Sequence, residues 1–116
     1  MGAANMRYVL FICSDEHDPT TQDEATMARY GEFYDTMFKR GVLKGGDRLR
    51  PSGDATTVQV RDGTLRTTDG PFAETKEQIG GYFHIECRDL DEAVEIAAAI
   101  PAAEYGTIEV RPIWEM

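Results

Sequence analysis

The densest group of residues able to do chemistry lies between Asp69 and Tyr82. It opens with Asp69-Gly70-Pro71. Glycine takes dihedrals closed to other residues and proline holds φ at about −65°, so the pair turns the chain sharply and gives the Asp69 carboxylate a set direction. Held this way, the carboxylate serves as a base or an anchor; the alternative is that it accepts hydrogen bonds from its own turn. Phe72 is expected to anchor the loop in the core. Glu74, Lys76 and Glu77 place three charges just before Gly80-Gly81, where two missing side chains let another backbone or a ligand come close. Lys76, flanked by acids, reads either as an ion pair that locks the loop or as the partner of a ligand carboxylate or phosphate.

Downstream, His84 alternates with Tyr82 and Glu86. Same-face neighbours on a strand lie about 7 Å apart, near enough for Glu86 to tune the imidazole without touching it. His84 is therefore a candidate proton-transfer group, with a histidine paired at a subunit interface as the alternative. His17, within Ser14-Asp15-Glu16-His17-Asp18, suggests a metal cluster, yet acids in a strand-to-helix loop are more often solvated. No metal and no cofactor is assigned. The candidate catalytic residues are thus Asp69 and His84, and the candidate ligand-binding residues are Glu74, Lys76, Glu77, Tyr82, Arg111 and Tyr34.

Secondary structure must position these groups. Arg7–Cys13 is β-branched and aromatic, a first strand. From Asp23, Met27, Tyr30, Tyr34, Met37 and Phe38 recur at spacings of three and four, and Gly41 follows the basic Lys39 and Arg40, which predicts an amphipathic helix and its stop. Val42–Arg50 is a glycine-interrupted strand. Ala55–Arg61 and Thr64–Thr68 flank Asp62-Gly63, the dipeptide suited to a two-residue hairpin. Gln78–Arg88 is the strongest strand, with Ile79, Gly81, Phe83, Ile85 and Cys87 on one face and Gly80, Tyr82, His84 and Glu86 on the other. Asp89 caps a second helix with Glu92 three residues on, and Leu90, Ala93, Val94, Ala97 and Ile100 form its apolar stripe up to Pro101. Thr107–Trp114 closes the chain, with Pro112 placing that strand at an edge or bulge.

The resulting β-α-β-β-β-α-β order predicts a ferredoxin-like α+β layer. Two helices cover only one sheet face. The other is expected to carry Thr57, Gln59, Arg61, Tyr82, His84, Glu86, Glu109 and Arg111, a mixture that suits a partly enclosed polar cavity.

At 116 residues the chain has the length of one domain, residues 1–116. Its 12 Lys plus Arg against 21 Asp plus Glu leave a net charge of −9, which argues against nucleic-acid and anionic-membrane partners. Within that acidic shell, Arg61 and Arg111 leave room for an anionic small ligand. There is no apolar run of membrane-spanning length, and Met1–Asn5 lacks the regions of a leader, so a cytoplasmic location is expected. Cys13 and Cys87 stand far apart in apolar runs and read as buried reduced thiols. No Ser-His-Asp order, phosphate loop or nucleotide fingerprint is present.

The run Asp69-Gly70-Pro71-Phe72-Ala73-Glu74-Thr75-Lys76-Glu77, followed by Gly80-Gly81-Tyr82, resembles the signature of the DGPF group of the YCII-related family. Gly41, Gly45 to Leu49, Asp91-Glu92-Ala93, Pro101 and Gly106 with Ile108 to Pro112 extend the resemblance over Met6–Glu115. It implies a dimeric α+β barrel, two ferredoxin-like sheets packed face to face around a cavity, with a homodimer partner and an unidentified small molecule inside. The barrel fixes no chemistry. Proton-transfer catalysis is one expectation; a non-catalytic regulatory module, associated with sigma-factor signalling by family analogy, is the other. Many relatives outside the DGPF group carry a first-helix histidine proposed to work with the motif's Asp. Here that helix offers Met27, Tyr30 and Tyr34 instead, leaving His17 or His84 as the substitute.

Overall fold

A computed structural model describes residues 5–115; the expectation about a leader falls largely on residues 1–4, outside the described residues. Strand β1 (Met6–Ser14) leads to helix α1 (Glu24–Lys39), then β2 (Leu43–Arg48), β3 (Thr56–Arg61), β4 (Thr64–Asp69), β5 (Gln78–Cys87), helix α2 (Leu90–Ala98) and β6 (Thr107–Pro112). Short 3-10 turns at Pro19–Gln22, Ser52–Asp54 and Pro101–Glu104 join them. The main sheet is antiparallel in the order β2-β5-β1-β6, the order of a ferredoxin-like layer.

The alternation of β1 and β5 builds the core. Tyr8 and Leu10 from β1 and Phe83 and Ile85 from β5 are buried against Phe33 and Met37 of α1 and Ala93, Ile96, Ala97 and Ile100 of α2 or its end. The helix signals are satisfied as expected. The Asp23 carboxylate accepts from the Ala25 N–H at 2.9 Å, and Gly41 takes φ +76° where α1 stops. The Asp89 carboxylate accepts from the Glu92 N–H at 2.9 Å, while the Glu92 carboxylate accepts from the N–H of Arg88 at 2.8 Å. Pro112 lies on the edge strand β6.

Both apolar stripes are narrower than expected. Met37, Ala93, Ala97 and Ile100 are buried as expected, joined by Phe33 and Ile96, whereas Met27, Tyr34 and Phe38 on α1 and Leu90 and Val94 on α2 are exposed. A helix lying on one sheet face buries only a limited arc, so an apolar stripe wider than that arc leaves its flanks outside. Cys87 is buried and Cys13 half-buried, both as free thiols.

The hairpin departs most from expectation. Asp62 (φ +52°) and Gly63 (φ +74°) make the turn, and Thr56↔Asp69 through Arg61↔Thr64 pair in register, but β3 and β4 form a two-stranded sheet of their own. Thr57, Gln59 and Arg61 therefore do not lie on the open face of the main sheet. The register of β2 on β5 shifts between Leu43 and Gly45, and such irregularities bend an edge away from further pairing. On this ribbon Val58, Val60 and Leu65 share one face and are 59 to 64% exposed, whereas Thr57 and Gln59 on the opposite face are half-buried. The apolar side points outward. Phe72, expected in the core, is 83% exposed, because its loop runs outside a helix-sheet core already filled by Tyr8, Leu10, Phe83 and Ile85.

Candidate functional site

Two depressions lie on either side of Glu16. The first, about 350 Å³, opens between the N-terminal half of α1 and the ends of β1, β2 and β5. Ile12 and Phe83 line it from the sheet, Met27, Tyr30 and Tyr34 from α1, and Tyr105 from the turn before β6. The flank of α1 that the core leaves uncovered is thus the wall of this cavity. The Tyr34 ring stands edge-on to Phe83 at 5.3 Å.

The glycine pair divides its labour. A Cβ on Gly81 would stand 3.0 Å from the Asp47 carbonyl oxygen, so that glycine admits a neighbouring backbone; around Gly80 a Cβ would meet nothing within 4 Å, and this residue borders the cavity. Burial pushes the Tyr30 phenol up, with the neighbouring Tyr105 phenol adding to it. Burial first and the Asp47 charge second raise Tyr34. The Tyr82 hydroxyl donates to Asp47 at 2.8 Å, the main reason its phenol is raised too. These tyrosines are therefore neutral hydrogen-bond donors at ordinary pH.

The second depression is a more open cleft of about 530 Å³. Asp69, Gly70, Pro71, Glu74, Lys76 and Gln78 form one side, and Asp15, Glu16, His17 and Ser52 line it as well. Gly70 takes φ +102°, its N–H donates to the Ala55 carbonyl at 2.7 Å, and its own carbonyl accepts from the Thr57 hydroxyl at 2.8 Å. The sharp turn expected of Asp69-Gly70-Pro71 is formed and pinned to the hairpin base.

Neither structural role weighed for the charged residues of this run is present. Among the described residues the exposed Asp69 carboxylate accepts no hydrogen bond and Lys76 makes no ion pair. The loop is tied instead by neutral groups. The Gln78 amide donates to the carbonyls of Ala73 (3.0 Å) and Thr75 (3.1 Å), and the Thr75 hydroxyl donates to the Glu77 carbonyl at 2.6 Å. The sequence reading missed Gln78 and Thr75; their signal was a polar pair bracketing the last turn before the strongest strand.

The candidate residues therefore fall in three places. Asp69, Glu74 and Lys76 line the cleft with His17, and Tyr34 and Tyr82 border the cavity. His84 and Arg111 lie on the sheet face that the helices leave uncovered, and the exposed Glu77 lines neither depression. His84 is paired in register with Val9 and Gly45, and its Nε2 is buried with no hydrogen-bond partner. Arg111 pairs with Glu109 and holds its guanidinium 5.8 Å from the centre of the Phe11 ring. Asp69 and His84 share no depression; the histidine in the cleft with Asp69 is His17. Among the described residues no three His, Cys, Asp or Glu side chains converge as metal ligands, and no helix is long and apolar enough to cross a membrane. The Asp15 carboxylate is turned inward on its own loop, accepting from the His17 N–H at 2.9 Å.

The fold and the pinned Asp69-Gly70-Pro71 turn define an α+β protein of the ferredoxin-like kind. The YCII-related domain matches residues 6–116, and the chain belongs to that family. It is also 34% identical over 114 residues to an uncharacterised protein of Rhizobium meliloti (strain 1021), an alignment covering 93% of this chain and 92% of the relative.

Proposed function

We propose that this chain is a small-molecule-binding protein that works as a homodimer, with Asp69 as proton acceptor on a ligand seated in the cavity and reaching toward the cleft. The observation that carries the reading is the pairing of an aromatic-lined cavity with an adjoining cleft whose carboxylate is free of protein partners, the two sharing Glu16. A cavity of about 350 Å³ is at the lower end of the roughly 300–1,000 Å³ usual for small-ligand sites. His17, the histidine in the same cleft, is the candidate to exchange a proton with Asp69.

Dimerisation is supported by area and shape. The chain exposes 8107 Å², roughly 1800 Å² more than a compact monomer of this size. Its radius of gyration is 16.3 Å, against roughly 13 Å for a compact domain. A surplus on that scale matches what each partner of an obligate homodimer buries. The uncovered sheet face, with Val9, Phe11 and the unpartnered Nε2 of His84, is the surface a second copy would meet, and there His84 is an interface residue.

The exposure of Asp69 favours a second reading, in which the cavity binds without turnover and the dimer is a regulatory module. Asp69→Asn separates the two. A ligand found by thermal-shift screening should bind the variant while its chemical conversion falls at least a hundredfold; conversion unchanged in the variant removes Asp69 from catalysis, and binding with no conversion in either protein leaves the module.

A further inference from the structure

We propose that the cavity selects a small anion with an apolar, ring-sized body, its charge held by Arg48. This deepens the small-molecule reading above and rests on it. Four charged side chains border the cavity, and three are already committed. Asp47 accepts from the Tyr82 hydroxyl, Glu16 accepts from Ser52 twice, and Arg50 is paired with Asp54 at 2.9 Å. Arg48 makes no ion pair and donates no side-chain hydrogen bond among the described residues. The group left to bind a ligand is therefore a guanidinium, whose planar fork suits a carboxylate.

The remaining wall decides the rest of the ligand. Met27, Phe83, Ile12 and the faces of Tyr30 and Tyr34 offer apolar and aromatic surface, suited to a flat ring with no polar edge of its own. The half-buried Tyr105 also lines the cavity, and burial raises its phenol, which is therefore neutral at ordinary pH. The net charge of −9 does not veto an anion, because at physiological ionic strength charges beyond about 8 Å are screened. Glu16 and Asp47, whose partners are neutral donors, keep their charge at the cavity wall, so the anion must contact the Arg48 fork directly.

Benzoate, benzamide and acetate test the proposal by NMR titration of the full chain, read at the methyl of Met27 and the ring of Tyr34. Benzoate should shift both saturably, with acetate at least tenfold weaker. Arg48→Gln should melt as the wild type does, bind benzoate at least tenfold less tightly and bind benzamide unchanged. Equal binding of benzoate and benzamide, or an Arg48→Gln variant that keeps its benzoate affinity, overturns the anion assignment and leaves the cavity as a neutral-ligand site. Acetate binding as well as benzoate overturns the apolar body. No shift with any of the three at millimolar concentration overturns this proposal, and the small-molecule reading then stands or falls on the thermal-shift screen.

Discussion

Glu16 grips Ser52 with both carboxylate oxygens, one taking the backbone N–H at 2.6 Å and the other the hydroxyl at 2.6 Å. This clamp spans the loop after β1 and the turn after β2, and its Glu16 end lines both the cavity and the cleft. Charge-assisted bonds of this kind contribute about 1.5–3 kcal/mol each, and less where water reaches them. Glu16→Ala should lower stability by about 1–3 kcal/mol and speed amide exchange at Ser52 far more than at Leu10. Equal protection at Ser52 in variant and wild type would show that the clamp does not hold the turn.

Glu92 gives the clearest pH dependence. The N–H of Arg88 first, and the guanidinium of Arg40 at 3.0 Å after it, hold this buried carboxyl below its usual range, against the opposing effect of burial. A depressed folded pKa means that the stabilisation is complete above the unfolded value of about 4.3 and is lost as pH falls through the folded one. Glu92→Gln should cost about 1–3 kcal/mol at pH 7. Its deficit against the wild type should shrink steadily below pH 4 in urea melts, and a deficit that stays constant with pH would refute the charge as its source.

A charge on the uncovered sheet face must oppose assembly of the proposed dimer. Phe11→Asp changes a half-buried side chain on the face of β1 away from the helices, so it should leave the monomer's fold intact. Sedimentation equilibrium should show the wild type as a dimer and the variant weakened at least a hundredfold. A monomeric wild type would end the dimer proposal.

Gly106 reports on close packing between β6 and β1. A Cβ at this position would overlap the Cys13 carbonyl oxygen and press on Ser14. Backbone cannot swing aside as a side chain can, so Gly106→Ala should destabilise by about 1–3 kcal/mol. Gly80→Ala, where a Cβ meets nothing within 4 Å, is the matched control and should change stability little. Similar melting of the two variants would contradict this packing.

What could be read in advance was whatever depends on local rules. The caps at Asp23 and Asp89, the Asp62-Gly63 turn, the stop at Gly41 and the alternation of β5 are each decided by neighbours within a few residues. Three expectations that depended on distant surroundings failed. Whether Phe72 reaches the core, which arc of α1 is buried, and whether β3 extends the main sheet are settled by volume already taken elsewhere and by the irregular edge of β2. The same holds at the site. The Asp69 turn was legible because glycine and proline announce it, whereas Arg48 and Glu16 carry no local mark and acquire their roles only when β1, β2 and α1 meet.

The order of strands has a consequence for biosynthesis. In the main sheet every ladder involves β5 or β6: β1 pairs with both, and β2 pairs only with β5. A chain emerging from the ribosome therefore has no partner for its first strand until Gln78–Cys87 has followed, and the only ladder open to it before then is the β3-β4 ribbon. Tyr8 and Leu10 thus lack their strand partners until β5 has been made, and closure of the sheet is a long-range event of the slow kind. Until β5 and β6 follow, the apolar face of β1 is the part of the sheet open to a chaperone.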